Sequence, residues 1–162
     1  MRKRILALLE TNSRLTPPEI ADMLGLEAEE VAAEIKKMED ENIICGYHTL
    51  INWDALGEER VIALIGLKIS PVRGEGFDRI STRISKFEEV KSVFLMSGSS
   101  NDLILTIEGE SLKDISHFVY GKIAPMDSVV STATYFVLKK YKDHHVSMVE
   151  GHGEDERIQI QA

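Results

Sequence analysis

The chain is short of several things that would have named a chemistry. Cys45 is its only cysteine in 162 residues, so no intrachain disulfide and no multi-cysteine zinc site can form, which suits a reducing compartment. No apolar run approaches the ~18 residues that a membrane-spanning helix needs. The amino-terminal MRKRILALLE is basic and then apolar, but Glu10 interrupts it and no small-residue cleavage site follows. It reads as a first helix rather than a signal peptide, and a cytoplasmic protein is expected. Neither a P-loop nor a GxGxxG fingerprint is present; Gly74, Glu75 and Gly76 read as a turn before a helix. Cys45 follows two isoleucines with no His and carboxylate pair beside it, so it is expected to be buried filler rather than a nucleophile. His144, His145 and His152, with Asp143 and Glu150, lie in a polar tail where a metal site would be adventitious. No metal, no cofactor and no catalytic residue is expected.

Positive charge is also scarce. The formal net charge is −8, and the first 46 residues hold six Lys and Arg against ten Asp and Glu. Because neutralising phosphates supplies much of protein–DNA affinity, nucleic-acid binding by this chain needs local basic clusters or the pairing of two copies.

What is present is organised around Thr16 to Met38, TPPEIADMLGLEAEEVAAEIKKM. Thr16 suits an N-cap, Pro17 the first helical position, and Glu19 completes a capping box. Ile20, Met23 and Leu24 recur at helical spacing, and Gly25 supplies a left-handed residue to end the helix. Val31, Ile35 and Met38 then define the buried face of a second helix, with Glu29, Glu30, Ala33, Lys36 and Lys37 on its other sides. This is a helix-turn-helix pattern, whose second helix would enter a major groove. Ile5, Leu6, Leu8 and Leu9 mark an earlier helix that would complete a three-helix core. Arg2, Lys3 and Arg4 beside its start are candidates for phosphate contact, as are Arg14, Lys36, Lys37 and His48. Arg14, Thr16, Glu29, Glu30, Ala33, Lys36, Lys37 and His48 make up the expected DNA-contacting set. After Met38, Asn42 is expected to cap the helix end, and Ile43 to Tyr47 to lead into a strand. DALGEE, Asp54 to Glu59, reads as the linking turn.

From Arg60 strand and helix patterns follow in a fixed order. VIALIGLKIS (61–70) predicts a strand; Phe77, Ile80, Ile84 and Phe87 predict a helix with one apolar face. Val90 to Met96 and Leu103 to Ile107 predict a hairpin joined by SGSSND. Leu112, Ile115, Phe118, Val119 and Ile123, capped by Ser111, predict a second helix, and VVSTATYFVL (129–138) a last strand. The order β-α-β-β-α-β is that of a ferredoxin-like sheet with both helices on one face. The fold class is thus α+β: a three-helix, winged helix-turn-helix joined to a ferredoxin-like βαββαβ domain. The expected division is residues 1–46 for DNA binding, 47–59 as an extended linker strand and turn, 60–142 for oligomerisation and effector binding, and 143–162 as a mobile acidic tail. Two helices cannot cover both sides of a sheet, and Val93, Phe94, Leu95 and Met96 are apolar in succession. A second copy is inferred to cover the open face.

The combination resembles the Lrp/AsnC family of feast/famine transcription regulators over about residues 1 to 142. LTPPEIADMLGL, NIICGYHTLINWDALG, SGSSNDLIL and VVSTATYFVL carry the resemblance through their order and spacing. It implies a dimer built by sheet-to-sheet contact, often assembled into an octamer, binding double-stranded DNA with a pair of helix-turn-helix units. It also implies an effector amino acid or related metabolite bound near the hairpin. On the matching positions the effector site would comprise Gly98, Ser99, Ser100, Asn101 and Asp102, with Thr132 and Thr134 of the last strand.

Two departures stand out. The family's second helix usually begins with Ser or Thr and is rich in Arg; here Glu27 is at the cap and Glu29, Glu30 and Glu34 follow. Glu30 could accept from cytosine N4, and equally the acids could simply complement the helix dipole. The family's hairpin commonly reads glycine, aspartate, any residue, aspartate, whereas Ser99 and Asn101 stand at the two acidic positions. Two alternatives to a regulator therefore stay open: a small-molecule-binding oligomer with little DNA affinity, and an enzyme like the siroheme decarboxylases, which share the layout and are expected to use His and Arg around a tetrapyrrole pocket, whereas His48 and His117 stand isolated here and suit a surface role better.

Overall fold

A computed structural model describes residues 1–71, 76–98 and 100–149. The chain divides into two compact units, Met1–Ile51 and a second that begins at Asn52.

The first unit is three helices: α1 (Arg2–Thr11), α2 (Pro17–Leu24) and α3 (Ala28–Asp40). Its core is Ile5 and Leu9 of α1, Ile20 and Ala21 of α2, and Val31 and Met38 of α3, all buried. The capping box forms as the sequence predicts: the Glu19 carboxylate accepts from the Thr16 N–H and the Thr16 hydroxyl, each at 2.7 Å. These bonds hold Glu19 below the usual carboxylate range, the hydroxyl contributing most. Gly25, at φ +66°, reverses the chain so that the Leu26 N–H reaches the Ala21 carbonyl at 3.0 Å. Met23 is exposed although it is in phase with Ile20; Ala21 fills that side of the core instead. Just beyond the end of α3, Asn42 takes a left-handed φ of +57° and lets the Ile43 N–H close on the Met38 carbonyl at 2.8 Å. The expected strand after it does not form. Residues 47–52 carry no secondary structure, and among the described residues none pairs with them. Cys45 is exposed, not buried, because it follows the helix end out of the core; its Sγ lies 3.3 Å from the Asn42 carbonyl.

The second unit opens with a single helical turn, α4 (Trp53–Leu56), where the sequence suggested a turn and linker. Asn52 caps it, accepting from the Ala55 N–H, and the Arg60 guanidinium stacks 3.6 Å from the centre of the Trp53 ring. Then come β1 (Val61–Ile69), α5 (Asp78–Ile84), β2 (Val90–Leu95), β3 (Leu103–Gly109), α6 (Leu112–Phe118) continued by a π-helical turn (Val119–Ile123), and β4 (Val129–Val137). The four strands form an antiparallel sheet in the order β2-β3-β1-β4, the ferredoxin-like arrangement that the sequence order predicts. Alternation decides the faces. Ala63, Ile65, Leu67, Leu103, Leu105 and Ile107 point toward Ile80, Ile84, Ile115, Phe118 and Ile123 of the helical layer. Phe87 and Phe118 meet edge to face at 5.4 Å. Leu112 is the exception among the apolar positions predicted for the two helices of this unit; it stands in the first turn of α6 and is exposed.

The first residues of the segment expected as a mobile tail from Asp143 carry structure, and 150–162 lie outside the described residues. Residues 142–147 close as a hairpin of β5 (Lys142–Asp143) and β6 (Val146–Ser147), turned by His144 and His145 with φ of +42° and +67°. Positive φ at both central residues matches the twist of flanking strands, so two histidines suffice to fold back a segment whose sequence shows no periodicity. His152 and Glu150 lie outside the described residues, as do Gly74 and Glu75.

Candidate functional site

Two surfaces hold the predicted site residues. The first is the outward side of α3. Glu29, Ala33, Lys36 and Asp40 line it, with Glu30 and Lys37 beside them, and all six are exposed. The buried stripe of Val31, Ile35 and Met38 fixes this orientation, since residues half a turn away must face solvent. The turn between α2 and α3 is three residues, as a helix-turn-helix requires. Lys36 Nζ lies 3.4 Å from Asp40, an exposed i,i+4 pair of small energetic weight. Glu27 takes the N-cap position but its side chain caps nothing. Thr16 is exposed, with its hydroxyl engaged by Glu19. Arg14 is exposed in the α1–α2 turn, where its N–H bonds to Asn12 Oδ1 at 3.1 Å, and His48 is exposed on the segment after α3.

Arg2, a candidate for phosphate contact, is committed elsewhere. Its guanidinium bonds Glu34 through Nε and grips Glu41 in a fork, Nη1 at 2.6 Å and Nη2 at 3.2 Å. Hydrogen bonding from Arg2 holds the Glu41 carboxyl below its ordinary range and pushes the guanidinium still higher. One of the four acids that depart from the family pattern, Glu34, is therefore part of an internal clamp between α1 and α3. Nothing in the local sequence signals this pairing, because the partners are 32 and 39 residues apart. Tyr47 is similarly tied, its hydroxyl donating to Glu39 at 2.7 Å, which raises the phenol's pKa.

The second surface is the tip of the β2–β3 hairpin. Gly98 and Ser100 are exposed there, and Ser99 lies outside the described residues. Asn101 folds back over β1: a Cβ on Gly66 would stand 2.6 to 2.7 Å from the three outer atoms of the Asn101 carboxamide. Asp102 continues the ladder, donating its N–H to the Leu67 carbonyl at 2.8 Å, while its carboxylate accepts from the Ile69 N–H at 2.8 Å and Lys68 Nζ at 3.0 Å. The Ile69 N–H, with Lys68 second, keeps that carboxyl below its ordinary range. Thr132 and Thr134 do not join this group within one copy. Thr132 pairs with Leu67 and Thr134 with Ile65, so both face the helical layer, whereas Gly66 and the Asn101 resting on it belong to the opposite face. Gly66 is the residue that sequence reasoning passed over. A lone glycine inside a β-branched strand is the usual mark of a close approach, and that signal was there to read.

The open face of the sheet runs in rows: Phe94, Ile104, Gly66 and Ala133, then Ser92, Thr106, Leu64 and Tyr135. Phe94 and Tyr135 are 54% and 56% exposed, a large aromatic area left in water. Ser92 and Thr106 satisfy one another at 2.7 Å. His48 and His117 are each exposed, and among the described residues no group of three His, Cys, Asp or Glu is placed to hold a metal. No helix among these residues is long and apolar enough to cross a membrane.

Comparison with known proteins matches both surfaces to described domains. Residues 62–147 match the model of the Lrp/AsnC ligand binding domain, and residues 1–44 that of a winged helix-turn-helix DNA-binding domain. The HTH-type transcriptional regulator YugG of Bacillus subtilis is 45% identical over 157 residues, covering 96% of this chain and 93% of that protein. The leucine-responsive regulatory protein of Rhizobium meliloti is 27% identical, covering 86% and 88%. Among solved structures, the transcriptional regulator NMB0573 of Neisseria meningitidis, in complex with L-Met, superposes with a TM-score of 0.66 at 27% identity, covering 86% and 89%.

Proposed function

Since the chain belongs to the Lrp/AsnC family of transcription regulators, we propose that it binds double-stranded DNA sequence-specifically as a homo-oligomer and answers to an amino acid or related metabolite. It acts in the cytoplasm and carries out no catalysis. α3 is the element that enters the major groove: Glu29, Glu30 and Ala33 lie toward base edges, while Arg14, Thr16, Lys36, Lys37 and His48 lie toward phosphates. Residues 1–46 serve DNA, 47–59 connect, and 60–142 assemble the particle and receive the effector. The observation that carries this reading is the exposed polar face of α3, presented behind a three-residue turn on a fully apolar three-helix core.

Assembly follows from the open sheet face. Phe94, Leu64, Ile104 and Tyr135 favour a second copy of the same face, an isologous contact that presents two α3 helices to two half-sites. Pairing also offsets the acidity of each reading unit, because the second contact forms at high effective concentration. The effector reading is supported by the L-Met complex of the Neisseria relative and by the polar hairpin tip. Selection of bound duplexes from a random pool, with and without an amino-acid mixture, tests the whole. Enrichment of a two-fold symmetric site is expected; no enrichment at 50 mM salt would refute the DNA-binding role.

A further inference from the structure

The carboxylates of α3 and its C-cap fall into two groups by what they touch. From residue 34 onward each one receives a donor: Glu34 and Glu41 from Arg2, Glu39 from the Tyr47 hydroxyl and Asp40 from Lys36. Glu29 and Glu30, in the first turn, have no such partner among the described residues. Arg2 reaches its two carboxylates from another helix. Nε bonds Glu34, while Nη1 and Nη2 fork onto Glu41 at 2.6 Å and 3.2 Å. Residues 34 and 41 stand seven apart, two turns along one face of the helix. One planar guanidinium therefore fixes α3 at two points along its axis and resists both sliding and rotation against α1. Apolar packing by itself restricts that motion less, since α1 contributes only Ile5 and Leu9 to the buried core.

We propose that Arg2 is a positioning residue for DNA reading: it meets no phosphate, and by pairing Glu34 and Glu41 it holds α3 in the orientation from which base edges are read. This rests on the reading of α3 as the element that enters the major groove. Base readout depends on hydrogen bonds that weaken steeply once donor and acceptor are misaligned. Attraction to phosphates falls only with the inverse of distance and tolerates a small rotation of the helix. Opening the clamp therefore costs selectivity more than general affinity. Lysine cannot take the place of Arg2, because an ammonium is a point charge without the fork that grips a carboxylate by two bonds.

The test uses the full-length protein, a duplex that the wild type selects from a random pool, and an unrelated duplex of equal length. Fluorescence anisotropy at about 0.15 M salt, below the melting temperature of every variant, gives the ratio of the two affinities. Arg2→Met should lower that ratio about tenfold, the size of a moderate coupling between side chains in contact. Glu34→Gln/Glu41→Gln should lower it equally, and adding Arg2→Met to that pair should change it by no more than about twofold, since the clamp is already open. Arg2→Lys keeps the charge, and so stands in where Arg2→Met fails to fold; it should lower the ratio about fivefold through loss of the fork. An unchanged ratio in Arg2→Met or in Arg2→Lys overturns the proposal. So does a loss that is equal on both duplexes and persists in the Glu34→Gln/Glu41→Gln background, which would put Arg2 on a phosphate. A wild type that selects no duplex overturns the reading of α3 itself and the proposal with it, an outcome distinct from selection that does not depend on Arg2.

Discussion

Neutralising Glu29 and Glu30 should tighten DNA binding, and the size of the gain can be worked out from where they stand. Both are exposed in the first turn of α3, on or beside its outward side. A carboxylate held about 7 Å from a phosphate costs about 0.6 kcal/mol in water. Two such residues in each of two copies give about 2.4 kcal/mol, or about 50-fold at very low ionic strength. At physiological salt, with a screening length of about 8 Å, the penalty falls to about 1 kcal/mol and the gain to about fivefold. Glu29→Gln/Glu30→Gln should therefore bind a selected operator about five times more tightly at 0.15 M salt, by fluorescence anisotropy, with the advantage growing as salt is lowered. The same change weakens the complement to the helix dipole by at most about 1 kcal/mol each, which a thermal melt would register separately. A loss of affinity confined to the cognate sequence would refute the repulsion account and show that a glutamate reads a base, at about 1–3 kcal/mol per contact.

Three other outcomes follow from the packing. Leu105→Ala, in the middle of β3 and fully buried between the sheet and both helices, should cost about 2–5 kcal/mol by chemical denaturation. Glu27→Ser should raise the stability of the first unit by about 0.5–1 kcal/mol, because the present cap residue makes no side-chain bond to the helix start. Asp102 has a folded pKa below its unfolded one, so its contribution is present above the unfolded value and is lost as pH falls through the folded value. Acid titration of wild type against Asp102→Asn should show the two stability curves converging below about pH 4 and separating above it.

The helix-turn-helix and the βαββαβ order were legible because each rests on short-range chemistry. Thr16, Pro17, Glu19 and Gly25 fix helix ends by bonds that span three or four residues, and the period of apolar residues fixes which face is buried. The hairpin tip was legible as a turn from its residues, and as a site only through the family resemblance. Whether Asn101 meets Gly66 depends on the register of β1 against β3, and that register is an outcome of sheet packing. The same holds for Thr132 and Thr134. Their spacing placed them on one face of a strand, but only the pairing with Leu67 and Ile65 revealed that this face is the helical one.

By itself, then, the order of residues determined the elements, their caps, their buried stripes and the family. Tertiary structure decided which charges are available. Arg2 is taken up by Glu34 and Glu41, and Asp102 by Ile69 and Lys68, through contacts between residues more than thirty positions apart. A local pattern cannot specify such contacts, because the distance between two charged side chains is set by how whole helices and strands pack, and Coulomb energy follows that distance rather than sequence separation.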